Sequence, residues 1–533
     1  MSFLHRLVKS SVFWLALVVG ILAVGRVYYW FSVGPTTLNQ DEAALLMNAR
    51  FLVEAGVDEW GRSWPVTFAS FGDVKLPGYI YAVAGLGAVF GFGEWVVRFP
   101  SVLAGCLLLL AVYWATREWT QSRMAALVST LLLVISPWTW HYGTIGFEAN
   151  MALLLFVSGL VCFLQQKPTY QWDILGTLFF LLAAMTYNTP WILLPVVGLA
   201  LVVARWGEWV SLVRSGILIL SVFVGVGALT LPAASQKGAI TIFQDPTLLS
   251  LYPAFRQSFS GIWQTVLGNQ YVYFFVLAAE RWLASWSWDF LVLSGGSNPW
   301  HSIPGVGHLH PFIPGMAVVG IIWKLGWTLK KRLQKPEIQR LPLAGMVLLF
   351  LSPLPAIVTV DAPHATRSLF FFVMLTVWAG YGLAMLYDGM CQRYTKQAWW
   401  LYFRLVVAAF VVWGFAWWWL PAQVRWERML SPKWNAGLTA ALQSETVSEA
   451  ESVFVWDPNG NRYPYAVLAS DMSVEEFLRT VQRSSADTVG LVRVEKVGKF
   501  TFVFQESDIA EKSGIYLEPN GNTKWDTIET ESQ

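Results

Sequence analysis

Apolar runs long enough to cross a bilayer recur through the first 420 residues of this 533-residue chain and then stop. A run of about 18 or more apolar residues can span as a helix, and one of 10–14 is more often interfacial. The recurrence describes a polytopic, all-α membrane protein. Composition agrees: 55% of residues are hydrophobic and 13% charged, where a soluble domain carries about 25% charged. Mean hydropathy is +0.49. The 31 tryptophans suit a protein with two membrane–water interfaces. A net charge of +2 gives no sign of a nucleic-acid partner. Cys106, Cys162 and Cys391 lie in or beside apolar runs, which points to neither a disulfide framework nor a cysteine metal site. Arg6 and Lys9 precede the first run as in a signal peptide. No small-residue cleavage site follows, only Arg26-Val27-Tyr28-Tyr29-Trp30, so the run reads as a retained first helix.

Short loops rich in Lys and Arg stay in the cytoplasm. Arg6 and Lys9 therefore set the N-terminus inside, and helix 1 (11–31) exits to an outer segment, 32–98. Within it, 79–92 is short and carries Gly85, Gly87 and Gly91. Holding it at the outer interface keeps Arg117 and Arg123 inside. The remaining runs then alternate at 99–116, 124–138, 149–166, 173–188, 191–204, 215–231, 312–328, 341–359, 369–387 and 398–420, about eleven spans in all. A long outer loop is expected over 232–311. The most basic loop, with Lys330, Lys331, Arg332, Lys335 and Arg340, anchors the orientation. Composition turns polar after Pro421. Strand-like runs at 452–456, 488–494 and 500–505 and a helix-like 474–483 predict a small extracytoplasmic α/β domain over 421–533, with a disordered acidic tip.

With this threading, the polar clusters share the outer side. Asn39-Gln40-Asp41-Glu42 follows helix 1. Asp41 is either a helix N-cap or a working carboxylate, since paired acids at a membrane surface are costly unless solvated or used. Gly72-Asp73-Val74-Lys75-Leu76-Pro77 opens the short run, and Lys75 could meet a phosphate or simply snorkel. Arg98-Phe99-Pro100-Ser101 stands at the next helix mouth, where Arg98 could fork onto a phosphate or anchor the helix end. Glu148 begins an otherwise apolar helix after His141-Tyr142-Gly143-Thr144-Ile145-Gly146-Phe147, as a cap or as a carboxylate able to meet Asp41. The long loop carries Trp286-Ser287-Trp288-Asp289 and then His301, His308 and His310, whose spacing fits no zinc motif. Asp361-Ala362-Pro363-His364-Ala365-Thr366-Arg367 caps a late helix, where His364 and Arg367 suit an anion.

The order of these clusters resembles the C-type glycosyltransferase superfamily, in the branch of protein O-mannosyltransferases and lipid A aminoarabinose transferases (glycosyltransferase family 39 and its bacterial relatives). The resemblance covers residues 1–420 and is best over 36–150. It implies a membrane glycosyltransferase that takes its sugar from a polyprenyl-phosphate carrier and passes it to a hydroxyl acceptor, on a protein, lipid or glycan, at the outer membrane face. It further implies Asp41, with Glu42 and Glu148, as catalytic carboxylates, and Lys75 and Arg98 as basic residues near the carrier phosphate. The sequence departs at Val74, where the aminoarabinose transferases have a glutamate implicated in metal binding. That departure leaves a divalent metal unrequired, with Asp73, His301, His308 and His310 as the weaker ligand candidates. The tail 421–533 resembles no family. Every motif precedes residue 370, so removing the tail is expected to leave the carrier-phosphate site intact.

The residue types fit that chemistry. One carboxylate can take the proton of an attacking hydroxyl, while Lys and Arg offset charge growing on a departing phosphate. A transporter or flippase would instead place ionisable groups near the bilayer midplane, often within internal repeats. A polysaccharide polymerase or a non-catalytic scaffold is a further reading. Convergence of the carboxylates in one outer cavity separates the transferase from these.

Overall fold

The computed structural model describes residues 11–32, 37–71, 73–165, 169–237, 241–296, 300–303, 305–332, 340–393, 397–430, 434–435, 437–485, 492–505, 514–520 and 524–530. Helix α1 (Ser11–Ser32) leads to α2 (Gln40–Ala55). The hairpin β1 (Phe68–Ser70) and β2 (Asp73–Lys75) follows, then α3 (Pro77–Phe90). The bundle continues through α4 (Glu94–Thr120), α5 (Arg123–Val134), α6 (Pro137–Tyr142), α7 (Glu148–Phe163), α8 (Tyr170–Ala184), α9 (Thr189–Ala204) and α10 (Trp209–Lys237). Next come α11 (Pro246–Gln257), α12 (Ile262–Val266) and α13 (Gln270–Ser285), a π-turn at Asp289–Leu293, and α14 (Phe312–Arg332). Then α15 (Arg340–Leu351), α16 (Leu354–Ile357), α17 (Leu369–Arg393) and α18 (Gln397–Leu430) complete the helical part.

Among the described residues, three helices are long and apolar enough to cross a membrane, Glu94–Thr120, Trp209–Thr230 and Thr366–Met390. Eight more apolar helices have shorter described stretches. Prolines interrupt some of the runs expected from hydropathy. The run 124–138 ends as a helix at Val134, and Pro137 starts α6. The run 341–359 divides around Pro353 into α15 and α16. Helix α3 has 14 residues, about 21 Å, short of a hydrocarbon core of about 30 Å. The expected loop 232–311 is instead largely helical. Its α11 and α12 bury no residue, and α13 buries only Tyr273 and Ser285. Such amphipathic helices escape a search for continuous apolar runs.

The C-terminal part begins later than the composition break, because α18 runs through Pro421 to Leu430. It holds α19 (Leu438–Leu442), α20 (Glu445–Glu449), β3 (Val453–Trp456), α21 (Tyr463–Ala469), α22 (Val474–Thr480), β4 (Gln482–Arg483), β5 (Val494–Val497), β6 (Phe500–Val503), β7 (Gly514–Asn520) and β8 (Lys524–Thr530). The mixed sheet has the order β4-β5-β6-β3-β7-β8, with β3 parallel to both β6 and β7. The strand expected at 488–494 falls later, and residues 486–491 lie outside the described ones. Of the acidic end expected to be disordered, Lys524–Thr530 forms β8, paired antiparallel with β7, and residues 531–533 lie outside the described ones. Ile515 and Leu517 of β7 join the core.

This domain is not a detachable appendage. Its Val453, Tyr465, Phe477 and Leu517 share one apolar core with Leu45, Phe51 and Met47 of α2 and Tyr79 and Val83 of α3. Arg50 pairs with Asp471 at 2.9 Å. Tyr465 donates to Leu38 O at 2.9 Å, Thr37 to Trp434 O at 3.1 Å, and Asn461 to Gln40 Oε1. Removal of 431–533 is thus expected to expose this core and lower the melting temperature of the purified protein, against the clean separation the motif positions suggest.

The joint also holds a buried carboxyl. Glu59 accepts from Tyr463 OH at 2.8 Å, and Arg483 donates to the Glu59 carbonyl at 2.6 Å. Burial pushes Glu59 up from 4.5 to about 7, outweighing Tyr463, Arg483 and Ser70, which lower it, while Asp58 adds to the rise. The folded protein therefore holds a proton that the unfolded chain releases above pH 4.5. That contribution is full below pH 4.5, fades as pH climbs to about 7, and then levels. Its size is on the order of 3 kcal/mol. Glu59→Gln is expected to flatten this fall in a pH series of thermal unfolding curves. An unchanged slope would remove Glu59 from the effect.

Candidate active site

The first acidic cluster is built by a capping box. Asn39 is the N-cap of α2, its Oδ1 accepting from Glu42 N at 2.8 Å while Asn39 N donates to Glu42 Oε2 at 2.9 Å. The cap is therefore Asn39 and not Asp41, which corrects the capping alternative for Asp41. Good helix formers carry the rest of α2 to Gly56, whose φ of 69° ends it.

Glu42 turns inward and is fully buried. Arg98 grips it from α4, with Nε on Oε1 at 2.7 Å and Nη2 on Oε2 at 3.0 Å. Gly146 N donates to Glu42 Oε1 at 2.7 Å, and Arg98 Nη2 also reaches Thr37 O at 2.8 Å. A side chain at Gly146 would crowd this joint, because a Cβ there would lie 3.0 Å from Val97 O and 3.2 Å from Glu42 Cγ. Ser101 completes the lock, accepting from Phe147 N at 3.1 Å while its carbonyl accepts from Asn150 at 2.9 Å. Glu42 and Arg98, expected among the catalytic and phosphate-binding groups, hydrogen-bond to each other and tie the start of α2 to α4 and to the turn before α7.

That joint carries three other side chains to one point. Asp41 is next on α2. Lys75 ends β2, where Phe68 pairs across from it, and Leu76-Pro77 then starts α3 with proline in its first turn. Glu148 is the first residue of α7, whose N-cap Phe147 supplies no side-chain bond. Lys75 Nζ donates to Asp41 Oδ1 at 2.6 Å and lies 3.8 Å from Glu148 Oε1. Lys75 and Glu148 are buried at 7% and 8% exposure, whereas the Asp41 side chain is 36% exposed. An ammonium thus stands between two carboxylates from different helices, with the Asp41 side open. Lys75 does not snorkel to solvent, being 7% exposed.

The late cluster gathers across Phe147 from Glu148. The His301 ring lies 6.0 Å from that of Phe147 and 4.4 Å from that of His364. His364 Nε2 is 3.2 Å from Asp361 Oδ2, and Arg367 Nη1 binds Asp361 Oδ1 at 2.6 Å and Thr359 Oγ1 at 2.8 Å. Burial holds both imidazoles well below the usual histidine range, with the neighbouring Arg367 guanidinium adding to it. His364 and Arg367 are thus together, as expected from their spacing, with Asp361 between them.

The weaker metal candidates do not assemble. His308 donates to Gly295 O at 2.7 Å and stacks on Phe372, while His310 sits among Phe410 and Trp413. The backbone of Asp73 belongs to β2, and its side chain lies outside the described residues. Among the described residues, no group of three or more His, Cys, Asp or Glu side chains is placed to hold a metal ion.

Residues 74–233 match the family described as dolichyl-phosphate-mannose-protein mannosyltransferase. No curated protein sequence matches the chain. In fold, the chain is similar to the oligosaccharyltransferase of Archaeoglobus fulgidus tethered to an acceptor peptide, with a TM-score of 0.53 and 14% identity over 86% of this chain and 63% of that one. It is equally similar to AglB of the same organism in complex with an inhibitory peptide and a dolichol-phosphate, with a TM-score of 0.53 and 13% identity over 88% of this chain and 64% of that one. The chain spans less than two thirds of the length of these structures. The family match and the shared fold agree with the resemblance carried by the motifs: the chain is similar to C-type glycosyltransferases of the protein mannosyltransferase branch.

Proposed function

We propose that this chain is a membrane glycosyltransferase that moves a sugar from a polyprenyl-phosphate donor to a hydroxyl acceptor at the outer, extracytoplasmic face. The observation that carries the reading is Lys75 Nζ seated between Asp41 and Glu148. Asp41 takes the acceptor hydroxyl proton as that oxygen attacks the anomeric carbon. The bond from that carbon to the phosphate oxygen breaks, and the electron pair leaves with the polyprenyl phosphate. A single displacement of this kind inverts the anomeric centre. Lys75 offsets charge on the leaving phosphate, and His364 and Arg367 extend the anion site. Glu148 orients the acceptor. Glu42 and Arg98 act as positioning residues that fix the start of α2.

A docking phosphate competes with Asp41 for the Lys75 ammonium, which frees the Asp41 carboxylate to turn toward the acceptor hydroxyl. The solved neighbours support the donor class, since one holds dolichol-phosphate together with a peptide. The transporter reading is disfavoured because Asp41, Lys75 and Glu148 sit at the ends of helices and strands, close to an open side.

Binding of polyprenyl phosphate to the purified protein tests the reading. Lys75→Ala is expected to weaken it roughly tenfold or more, since a charge-assisted contact is lost. The step routes nothing through a metal, and transfer is expected to persist in EDTA. Undiminished binding by Lys75→Ala, or no saturable binding by the wild type, would contradict the donor site.

A further inference from the structure

Asp41 stands between residues that are fastened to other parts of the protein. On one side, Glu42 is held by Arg98 and by Gly146 N. On the other, the segment 37–40 is fastened to the C-terminal domain. Thr37 donates to Trp434 O at 3.1 Å, Leu38 O accepts from Tyr465 OH at 2.9 Å, and Gln40 Oε1 accepts from Asn461 Nδ2. Asn461 is itself carried on a turn with little freedom. The buried Asp457 side chain accepts from Asn461 N at 3.0 Å and from Arg462 N at 2.8 Å. Gly460, with φ at 70°, donates to Asp457 O at 3.0 Å, and Asp457 N donates to Val503 O of β6 at 2.8 Å. Arg462 fixes the far end of the turn on Asn435 Oδ1 at 2.9 Å and over the Trp525 ring at 4.7 Å.

We infer that Asn461 is a positioning residue for the base: through Gln40, the C-terminal domain holds the start of α2 so that Asp41 turns from Lys75 to the acceptor hydroxyl without the backbone following. This role rests on the transferase reading above. In that reading the Asp41 side chain changes partners in each turnover, and its aim after the change is set by the backbone at 40–42. Reacting groups need to be held to within about 0.5 Å, and a misplacement of about 1 Å costs on the order of 10²-fold in rate. Attachment of the domain is already supplied by the apolar core it shares with α2 and α3. A part-buried amide–amide hydrogen bond adds little to that stability. It is directional, however, and it falls on the residue next to Asp41. The contact therefore does more for orientation than for attachment.

The test compares the full-length protein with three variants. Transfer is followed in membranes with radiolabelled polyprenyl-phosphate sugars, and polyprenyl-phosphate binding and melting temperature are measured on the purified proteins. Asn461→Ala removes the amide and keeps the turn, because Asp457 bonds the backbone N–H of 461. It is expected to lower turnover at saturating donor roughly 10- to 100-fold, with the donor KM, polyprenyl-phosphate binding and melting temperature near those of the wild type. Gln40→Asn shortens the other partner by one methylene and should lose turnover in the same way. Gln40→Asn combined with Asn461→Gln restores the summed length and should recover most of the turnover, the coupling expected of two residues in contact. Unchanged turnover in Asn461→Ala, a melting temperature that falls in step with turnover, or a double variant no better than Gln40→Asn would each overturn the positioning role. Absence of transfer by the wild type from every polyprenyl-phosphate sugar would remove the transferase reading itself, and the positioning role with it.

Discussion

Asp41→Asn is expected to slow sugar transfer roughly 10²–10⁴-fold, the range that general-base assistance supplies, while melting temperature and polyprenyl-phosphate binding stay near those of the wild type. Asparagine keeps the size of the side chain and removes its charge and basicity. Because the cap of α2 is Asn39, closed by Glu42, the substitution leaves the helix start intact. Because Glu42 and not Asp41 holds Arg98, the joint with α4 is also untouched. Glu148 still faces Lys75 at 3.8 Å in the variant, so donor affinity should hold. Transfer near the wild-type rate would take Asp41 out of the mechanism. An equal loss of transfer and thermal stability would make its role structural.

Breaking the Glu42–Arg98 pair should act in the opposite way. Arg98→Met is expected to destabilise the protein by roughly 3–5 kcal/mol, the cost of leaving a buried charge without its partner. Glu42 is 0% and Arg98 1% exposed, and Glu42 also accepts backbone amides from Asn39 and Gly146. The loss should appear in thermal unfolding, with transfer falling because the start of α2 shifts relative to Lys75 and Glu148. A second substitution, Glu42→Gln, should recover part of the stability by removing the stranded carboxylate. An Arg98→Met protein that melts with the wild type and only binds the donor weakly would return Arg98 to the phosphate.

The approach of Asp41 to Glu148 was readable because both are carboxylates at the starts of helices on one side of the threading. Lys75 was readable as a charge beside a helix-opening proline. The partners of Glu42 were not, because Arg98 and Gly146 lie 56 and 104 residues away, and nothing local to either announces the contact. One signal does lie in the sequence: Asn39 stands three residues before Glu42, the spacing of a capping box. The helices at Pro246–Gln257 and Gln270–Ser285 were hidden for a different reason. Their apolar runs are short, at most the nine residues Tyr271–Ala279, so a search for spans reports a loop. Shared burial of Phe51 and Phe477 was hidden too, since a core between distant segments leaves only apolar residues on each.

The central claim is tested most directly by incubating membranes that hold the full-length protein with radiolabelled polyprenyl-phosphate sugars, side by side with membranes holding Asp41→Asn. The account predicts that label from at least one of these donors moves to acceptor in the wild type, with release of polyprenyl phosphate, and falls by orders of magnitude in the variant. No transfer from any polyprenyl-phosphate sugar, or transfer that Asp41→Asn leaves unchanged, would contradict it.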